Sequence, residues 1–402
     1  MCYTVASEGV ASAISVASQH PGRLVWLVLN CETHVCGPLY MGSFISMMPS
    51  MVVPCLDFFV LGGTNMEFFG FELFGSLNGG ALLAVAAVIF GVGLFLTIKG
   101  GDWFVDSASW FAEATGIPKF VVGATVVSFA TTLPELLVSV RAAMNGSAQL
   151  AIGNAVGSVT ANTTLIMGVS LVAMAGLVSR KEFSLKGGLL LAAVVGLTLL
   201  SLSGSLPVWS AFILWAIFIV FMVSNVIEGK KSAASDSVDS FEKKEIPAKI
   251  LFFVLGTASI VVGAEFLVSS GKTIAAGIGI SETIIGFTVI ALGTSLPELV
   301  TTLTAIRKKE NSLSVGNIIG ANIIDTTLIL PLCAVINGES LPVEKINLVF
   351  DFPVCIAACA VAIVPTIIQG RFKKWQGYAL LGIYALYMLF LVLNETGVVT
   401  IA

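Results

Sequence analysis

The stretch GATVVSFATTLPELLVSV, residues 123–140, recurs later in the chain as GFTVIALGTSLPELVTTL, residues 286–303. A second pair of segments follows these, IGNAVGSVTANTTLI at 152–166 and VGNIIGANIIDTTLI at 315–329. Both pairs are separated by 163 positions, without a gap. One offset shared by two separate segments indicates an internal repeat, and such a repeat constrains the architecture of the whole chain.

The composition is that of an integral membrane protein. Of the 402 residues, 56% are hydrophobic and only 11% are charged, whereas a soluble domain carries roughly 25% charged residues. Ten apolar stretches are long enough to cross a hydrocarbon core of roughly 30 Å as helices. They are residues 81–98, 117–140, 149–178, 187–204, 208–226, 250–270, 280–306, 313–336, 347–368 and 376–393.

Charge and cysteine content exclude several other classes of protein. The net charge is −4, and the basic residues form no stripe of the kind that binds nucleic acid, so no nucleic-acid partner is expected. The seven cysteines include no CxxC pair, which argues against a zinc site and against a disulfide framework.

Lysine and arginine are divided unevenly between alternate loops of the ten stretches. Sixteen lie in loops on one side of the membrane, and only Arg141, Lys272 and Lys345 lie on the other. Because cytoplasmic loops carry the excess of positive charge, the basic side is predicted to be cytoplasmic. That side includes the polar linker 227–247, and the expected location is the plasma (inner) membrane.

Each copy of the repeat holds five spans, an odd number, so the second copy must enter the membrane from the opposite side. The sequence therefore predicts an all-α integral membrane protein of ten transmembrane helices, arranged as two inverted five-helix repeats, plus an N-terminal extension. The extension is 1–78, which an extra span could occupy; the first repeat is 79–226, the linker 227–247 and the second repeat 248–402. Inverted-repeat transporters bind substrate and coupling ions near the midplane, where the repeats meet.

Each copy of the first motif combines a helix break with a carboxylate. Pro134 has no N–H to donate within a helix, so the span is predicted to kink or break there. Thr131 and Thr132 precede Glu135 by four and three residues, which places their oxygens on its face of the helix. The second copy repeats this arrangement with Thr294, Ser295, Pro297 and Glu298.

The second motif adds a polar face to the next helix. Asn154, Ser158 and Asn162 lie one turn apart, and their counterparts are Asn317, Ala321 and Asp325. Oxygen ligands without imidazole or thiolate suit hard cations such as Ca2+ and Na+. An acid at the bilayer centre costs on the order of 3 kcal/mol, and these helices hold no Lys or Arg, so cations or protons must neutralise the acids. The other reading is that the glutamates and asparagines only hydrogen-bond neighbouring helices.

These paired motifs resemble the alpha-1 and alpha-2 repeats of the cation/Ca2+ exchanger superfamily, in particular the prokaryotic-type sodium/calcium exchangers, over about residues 80–400. The resemblance implies an antiporter, and not an enzyme, that exchanges Ca2+ for Na+ by alternating access. No cofactor is expected beyond the transported ions. The expected partners are Ca2+, Na+ and the lipid bilayer, with no obligate protein partner.

The resemblance also implies which residues bind the ions. Ca2+ is expected at Glu135 and Glu298, assisted by the carbonyls of Thr131 and Thr294. Na+ is expected at two flanking positions, made by Thr132, Ser158 and the carbonyl of Ser128 in one half, and by Thr294, Ser295 and the carbonyl of Ala291 in the other. Asn162 and Asp325 form the implied central pair, and Glu135, Glu298 and Asp325 are the implied metal-binding carboxylates.

Two points remain open at this stage. Ala321 stands where the family has a second serine, which removes a hydroxyl from one sodium position and leaves the stoichiometry undetermined. The alternative function is an H+- or K+-coupled cation antiporter of the same fold. Proton-coupled relatives usually carry an additional acid in the GN-containing helix, and Asn154 and Asn162 argue against that coupling. An intramembrane protease is disfavoured, because KGGD at 99–102 lacks G-x-G-D spacing and VSSG at 268–271 lacks the first glycine of G-x-S-G.

Overall fold

The computed structural model describes residues 67–68, 71–72, 79–174, 180–235, 245–278, 293–338, 340–395 and 398. Of the predicted N-terminal extension, only one short hairpin before residue 79 is among them. In it β1 (Glu67–Phe68) pairs antiparallel with β2 (Phe71–Glu72). The middle of the linker and the first half of the predicted span 280–306 lie outside the described residues.

Helices make up almost all of the described chain, as the composition predicts. They are α1 (Gly79–Thr115), α2 (Lys119–Thr131), α3 (Leu133–Met144), α4 (Ala148–Met174), α5 (Arg180–Leu200), α6 (Ser210–Ser235), α7 (Ile246–Gly277), α8 (Leu296–Arg307), α9 (Asn311–Asn337), α10 (Asn347–Gln369) and α11 (Lys374–Glu395). Within the described ranges, eight helices are long and apolar enough to cross a membrane, or nine if the bent pair α2 and α3 forms one span. The protein is therefore a multi-pass membrane protein.

Two helices form the centre of the molecule. The spanning windows of α4 and α9 are 78% and 83% buried, whereas those of the other single spanning helices are between 17% and 39% buried. Both central helices carry the second repeated motif, which is rich in glycine, alanine and short polar residues. Small side chains let helix backbones approach closely in a membrane, where packing replaces the hydrophobic effect as the main attraction between helices.

The two copies of the repeat adopt the same local backbone structure. Helix α3 spans 133–144 and α8 spans 296–307, so both of their ends are offset by 163 residues. Within α4 and α9, regular helix gives way to a π-helical turn at Asn162–Ile166 and at Asp325–Ile329, again at the same offset. The repeat seen in the sequence is therefore also a repeat of backbone geometry.

The long helices α1 and α7 occupy equivalent positions in the two repeats, and they cross each other through glycines. A Cβ atom added at Gly93 would lie 2.9 Å from the carbonyl oxygen of Gly263, and one added at Gly100 would lie 2.9 Å from that of Gly256. Residue numbers thus rise along one helix as they fall along the other, so the two helices run antiparallel. Only glycine permits this approach of backbone to backbone.

A second pair of short strands joins two loops that are far apart in sequence. β3 (Ser205–Pro207), between α5 and α6, pairs antiparallel with β4 (Ser340–Pro342), between α9 and α10. Leu206 lies opposite Leu341 in this ladder, and both leucines are buried. The pairing places the two loops on the same side of the molecule.

Candidate functional site

The helix break predicted at Pro134 is confirmed. Helices α2 and α3 meet at a bend of 48°, and Thr132 between them leaves the helical region with φ −87° and ψ 5°. Ser295, which precedes α8, has nearly the same backbone angles, φ −83° and ψ 5°. Because each proline is the second residue of its helix, its missing N–H falls where a helix has no internal acceptor to offer.

The predicted acidic residues lie deep inside the protein. Glu135 and Glu298 lie in the first turns of α3 and α8, and Asp325 begins the π-helical turn of α9. All three side chains are completely buried. A helix N-terminus carries a partial positive charge that stabilises the two glutamates without any basic side chain.

One hydrogen bond links the two repeats directly at the acids. Thr132 of the first repeat donates from its hydroxyl to Oε1 of Glu298 in the second, at 3.0 Å. The equivalent contact from Ser295 to Glu135 is not formed, since Ser295 Oγ and both carboxylate oxygens of Glu135 have no hydrogen-bond partner in the part of the chain that the structure describes. The site is therefore symmetric in sequence but asymmetric in its bonds.

Buried oxygens without a partner are concentrated at this place. In native proteins such groups are nearly always satisfied, so each one requires an explanation. A hard cation would supply it, because carboxylate, amide and hydroxyl oxygens are the ligands that such cations prefer. Among the described residues, the unpartnered oxygens of the predicted site are both of Glu135, Oε2 of Glu298, both of Asp325, Oδ1 of Asn162 and Oγ of Ser295.

The carboxylates do not share a single ion among three. Within the described part of the chain, no group of three or more Asp, Glu, His or Cys side chains is arranged closely enough to hold one metal ion. A cation at this place would therefore need hydroxyl, amide and carbonyl oxygens among its ligands.

Asn154 connects the two repeats. Its Nδ2 donates to the carbonyl oxygen of Glu135 at 3.1 Å and to Ser139 Oγ at 2.9 Å, both in α3 of its own repeat. Its Oδ1 accepts a hydrogen bond from the hydroxyl of Thr294, in the other repeat, at 3.1 Å. The side chain thus bonds to the segments next to both helix breaks through its acceptor and its amide donors. This contact between helices is the structural role that the sequence gave as an alternative to ion binding.

Asn317 makes the corresponding contact from the second repeat. Thr131 donates to Asn317 Oδ1 at 3.2 Å, which mirrors the bond from Thr294 to Asn154. The mirror is incomplete, because Asn317 Nδ2 and Thr302 Oγ1, the counterparts of the bonded Asn154 Nδ2 and Ser139 Oγ, are buried without partners among the described residues. The threonine hydroxyls of the two motifs are therefore held by the asparagine of the opposite repeat.

All of the expected sodium ligands except Ala291 are among the described residues. Thr132 and Ser158 lie at the contact between repeats, and Ser158 Oγ is 3.5 Å from Thr294 Oγ1. The carbonyl oxygen of Ser128 accepts from the N–H of Thr132 at 2.9 Å, and at 3.3 Å from the Thr131 hydroxyl it competes with Asn317 Oδ1 for the single proton of that hydroxyl. The expected ligand at Ala291 lies outside the described residues.

Two π-helical turns begin at the residues of the expected central pair, Asn162 and Asp325. A π-helical turn widens the helix by one residue and is frequent at functional sites. Nothing in the apolar pattern of the sequence marks these turns. The repeated motif identifies Asn162 and Asp325 as candidate site residues, but only the structure shows that the backbone is π-helical there.

One buried acid lies outside the repeated motifs and was not predicted from the sequence. Asp351 lies inside the predicted span 347–368, where it accepts from Asn347 Nδ2 at 2.8 Å and from the hydroxyl of Tyr387 at 3.1 Å. An aspartate within an apolar stretch was the available signal. Because both of its oxygens are bonded, Asp351 ties α10 to α11 and does not extend the site.

A small cavity of about 40 Å3 adjoins the two helix breaks. Pro134, Thr294 and Pro297 lie along it, together with Val268 and Glu265 of α7. A water molecule requires roughly 10–15 Å3 of such space, so the cavity has room for a few. Water can therefore stand next to the threonine and proline segments.

These features define a class of protein: a multi-pass membrane protein with a buried, oxygen-lined cation site between two repeats, which is the construction of a secondary cation transporter. The sequence profile of the family described as "Sodium/calcium exchanger protein" matches residues 85–227 and 248–393. The chain belongs to this family. It is a cation/Ca2+ antiporter of the cation/Ca2+ exchanger superfamily, similar to the prokaryotic-type exchangers, as the motifs predicted.

Individual relatives agree with this assignment. The chain is 37% identical over 273 residues to the inner membrane protein YrbG of Escherichia coli, covering 64% of this chain and 82% of that protein. It is 31% identical over 367 residues to the sodium/calcium exchanger MaX1 of Methanosarcina acetivorans, covering 77% and 99%. A solved structure of the sodium-calcium exchanger NCX_Mj matches with a TM-score of 0.67 at 27% identity, covering 76% and 98%.

Proposed function

We propose that this protein exchanges Ca2+ for Na+ across the plasma (inner) membrane by alternating access. Ca2+ is bound by Glu135 and Glu298 with the carbonyls of Thr131 and Thr294, and Na+ occupies flanking positions that include Thr132, Ser158 and Ser295. The central pair, Asn162 and Asp325, completes the site. The relative MaX1 is named a sodium/calcium exchanger, which supports Na+ as the coupling ion.

The observation that carries this proposal is the set of buried, unpartnered oxygens at the contact between the repeats. Within the described ranges, both oxygens of Glu135 and of Asp325 are buried without a hydrogen-bond partner. An uncompensated charge at the bilayer centre is expensive, so these groups are expected to mark an ion pathway. Several small oxygen sites also suit an exchanger, which must release each ion as well as bind it.

The topology that we propose has ten spans in two inverted repeats. The antiparallel crossing of α1 and α7, which occupy equivalent positions in the two copies, supports inversion. The pairing of β3 with β4 supports the count, because loops on one side of a membrane are separated by an even number of crossings. Between these strands lie α6, α7, the segment that ends in α8, and α9, which makes four.

The direct test is Ca2+ uptake by the purified protein in liposomes. Vesicles are loaded with Na+, H+ or K+ in turn and diluted into Ca2+ without that ion, so that each outward gradient is compared under otherwise equal conditions. We expect uptake to follow the outward Na+ gradient. Uptake driven by protons, or only by combined Na+ and K+, would instead establish the alternative coupling; one relative of that second kind is the sodium/potassium/calcium exchanger 2 of Gallus gallus.

A variant of the second glutamate tests the site itself. Glu298→Gln removes a carboxylate charge from a fully buried position. Loss of one charged partner from a buried ion pair, here the carboxylate that pairs with Ca2+, costs about 3 kcal/mol or more, so Ca2+ affinity is expected to fall by over 100-fold. The control is Glu344→Gln, the same change at an exposed glutamate before α10. Sodium-driven uptake that survives Glu298→Gln at the level of the control would contradict the assignment.

A further inference from the structure

Equivalent places in the two repeats are packed differently. Helix α1 of the first repeat lies against α8 of the second, where a Cβ atom added at Gly101 would lie 2.7 Å from Thr304 Oγ1 and 3.2 Å from Val300 Cγ1. The residue 163 positions after Gly101 is Ala264 in α7. Ala264 instead lines the cavity of about 40 Å3 beside Pro134. One of the two equivalent places is therefore closed by helix packing, and the other contains space.

The proposed topology puts these two places on opposite sides of the membrane. Helix α1 ends at Thr115, toward the cytoplasm, so Gly101 lies in its cytoplasmic half. Inversion of the second repeat puts Ala264 in the opposite half of α7, beside the helix break at Thr294. In this topology the contact between α1 and α8 closes the cytoplasmic side, and the cavity lies toward the other side.

Ion pairs join α1 to the end of α8 beside the closed contact. Lys308 Nζ, one residue after α8, lies 2.7 Å from Asp106 Oδ1 and 3.5 Å from Asp102 Oδ1, both in α1. Arg307, the last residue of α8, also pairs with Asp102. The side chains of Asp102 and Lys308 are only 22% and 25% exposed, and partly buried pairs are screened less than exposed ones. We call Asp102, Asp106, Arg307 and Lys308 the cytoplasmic latch.

A second set of ion pairs connects the neighbouring helices at the same end. Lys119 Nζ, at the start of α2, lies 2.7 Å from Glu310 Oε1, which directly precedes α9. The same nitrogen lies 2.7 Å from Glu113 Oε1 in α1. Charged side chains thus connect α1, α2, α8 and α9 at the predicted cytoplasmic face. Movement of α1 away from α8 would have to separate several opposite charges.

The other copy of the repeat does not carry the same charges. The counterparts of the two basic latch residues, 163 positions earlier, are Met144 and Asn145, and the counterpart of Asp106 is Ser269. Only Asp102 has an acidic counterpart. Equivalent residues therefore cannot repeat the latch on the opposite side, so its free energy favours one of the two conformations that an inverted repeat exchanges.

We propose that the cytoplasmic latch is a conformational device that holds the transporter closed toward the cytoplasm and favours the conformation that faces the opposite side. This inference rests on the proposed alternating access and specifies what sets its resting equilibrium. The two conformations of such a protein commonly differ by an amount that a few partly exposed ion pairs are able to shift. Release of ions to the cytoplasm then requires the latch to break in each cycle.

Labelling of a cysteine under the latch tests the inference. In a chain whose seven native cysteines are replaced, Thr304→Cys puts a thiol at a position that is only 6% exposed beside Gly101. We expect an impermeant maleimide to react slowly with it at the cytoplasmic face of inside-out vesicles. Lys308→Gln breaks both pairs of that lysine and is expected to raise the rate by about tenfold, the equivalent of about 1.4 kcal/mol.

Two further comparisons separate the ion pairs from charge alone. Lys309→Gln is the matched control, because it removes the same charge from the next residue, which forms no ion pair among the described residues. It is expected to leave the labelling rate unchanged. Asp106→Asn and Lys308→Gln break the same contact, so the double variant is expected to react more slowly than the product of the two single effects would give.

Transport from the two sides gives a second measurement. The apparent affinity for a ligand is reduced by the fraction of molecules in the binding-competent conformation. We therefore expect Lys308→Gln to lower the half-maximal Ca2+ concentration at the cytoplasmic face of inside-out vesicles and to raise it at the outer face of right-side-out vesicles. A variant that is only destabilised would lose activity from both sides.

The outcomes separate this inference from the proposed function. Absence of sodium-driven uptake would refute the proposed exchange, but labelling requires no coupling ion and still reports on the latch. If Lys308→Gln leaves the labelling of Thr304→Cys at the rate of the Lys309→Gln control, the latch is refuted while the exchange stands. Changes in the same direction on both faces also refute it. Should Thr304→Cys fail to fold, the two-sided Ca2+ measurement decides the question.

Discussion

At the scale of single residues, hydrogen bonds separate the predicted ion ligands from a residue whose polar atoms are already bonded. Among the described residues, the carboxylate oxygens of Glu135 and Asp325 have no hydrogen-bond partner, whereas Asn154 has its Oδ1 and Nδ2 engaged with Thr294, Ser139 and the backbone of Glu135. An amide that already makes three hydrogen bonds to the protein has only one oxygen lone pair left to coordinate a cation. We therefore expect Asn154 to position the neighbouring helices, although it lies on the same helical face as Ser158 and Asn162.

Substitution of Asn154 by aspartate distinguishes these roles. Asp keeps an acceptor for the Thr294 hydroxyl but cannot donate to Glu135 or Ser139, so buried acceptors lose their partners at a cost of about 1–3 kcal/mol. We expect Asn154→Asp to lower the melting temperature and to slow uptake about as much as Asn154→Ala does. Thermal unfolding in detergent and uptake assays measure the two effects. If Asn154→Asp instead bound Ca2+ more tightly with unchanged stability, the residue would be a ligand.

At the scale of elements, the decisive features are interruptions in helices. A regular helix satisfies its own backbone, so ions find carbonyl oxygens only where the helix breaks or widens. The breaks at Thr132 and Ser295 and the π-helical turns at Asn162 and Asp325 provide such places in each repeat. Prolines in the sequence predict the helix breaks, but no residue type predicts the π-helical turns.

The glycine crossing of α1 and α7 gives a prediction for an element. Gly100→Ala would place a methyl group 2.9 Å from the carbonyl oxygen of Gly256 and 2.7 Å from the side chain of Ser259. Overpacking of this kind costs about 1–3 kcal/mol, so a lower melting temperature and slower uptake are expected. Gly91→Ala is the control on the same helix, since an added Cβ there meets nothing within 4 Å. Equal stability of the two variants would mean that the helices do not need this close approach.

At the scale of the whole molecule, side-chain contacts follow the predicted sides of the membrane. On the predicted cytoplasmic side, Lys119 pairs with Glu310 at 2.7 Å, Lys308 with Asp106 at 2.7 Å, and Lys186 with Glu228 at 2.6 Å. On the opposite side, Gln149 bonds Glu344 and β3 pairs with β4. Each of these contacts joins loops that the alternation of basic residues assigns to one side, which supports the proposed orientation.

Labelling of single cysteines tests that orientation. In a chain whose seven cysteines are replaced by serine or alanine, Ser240→Cys in the linker is expected to react only after the cytoplasmic face is opened to an impermeant maleimide. Glu344→Cys, at an exposed position before α10, is expected to react from the opposite face of intact cells or spheroplasts. Labelling of both positions from the same face would contradict the ten-span count.

The sequence alone was sufficient for the features that depend on local order along the chain. Apolar length predicts the spans, proline predicts the break before Glu135, and the constant offset of 163 predicts two copies of one unit. The same offset pairs Glu135 with Glu298 and Asn162 with Asp325, so most of the candidate site could be named before its geometry was known. The count of spans could not be tested in the same way, since part of the span 280–306 lies outside the described residues.

Only the tertiary structure decided which residues of one repeat meet which residues of the other. The bonds from Thr132 to Glu298 and from Thr294 to Asn154, and the packing of Ser128 on Gly320, all cross between the repeats. Sequence spacing describes neighbours on one helix, because helical geometry is local, but it contains no information about the packing of a second helix 160 or more residues away. For that reason the sequence by itself determined the membrane class, the repeat and the acids, and the folded chain determined their partners.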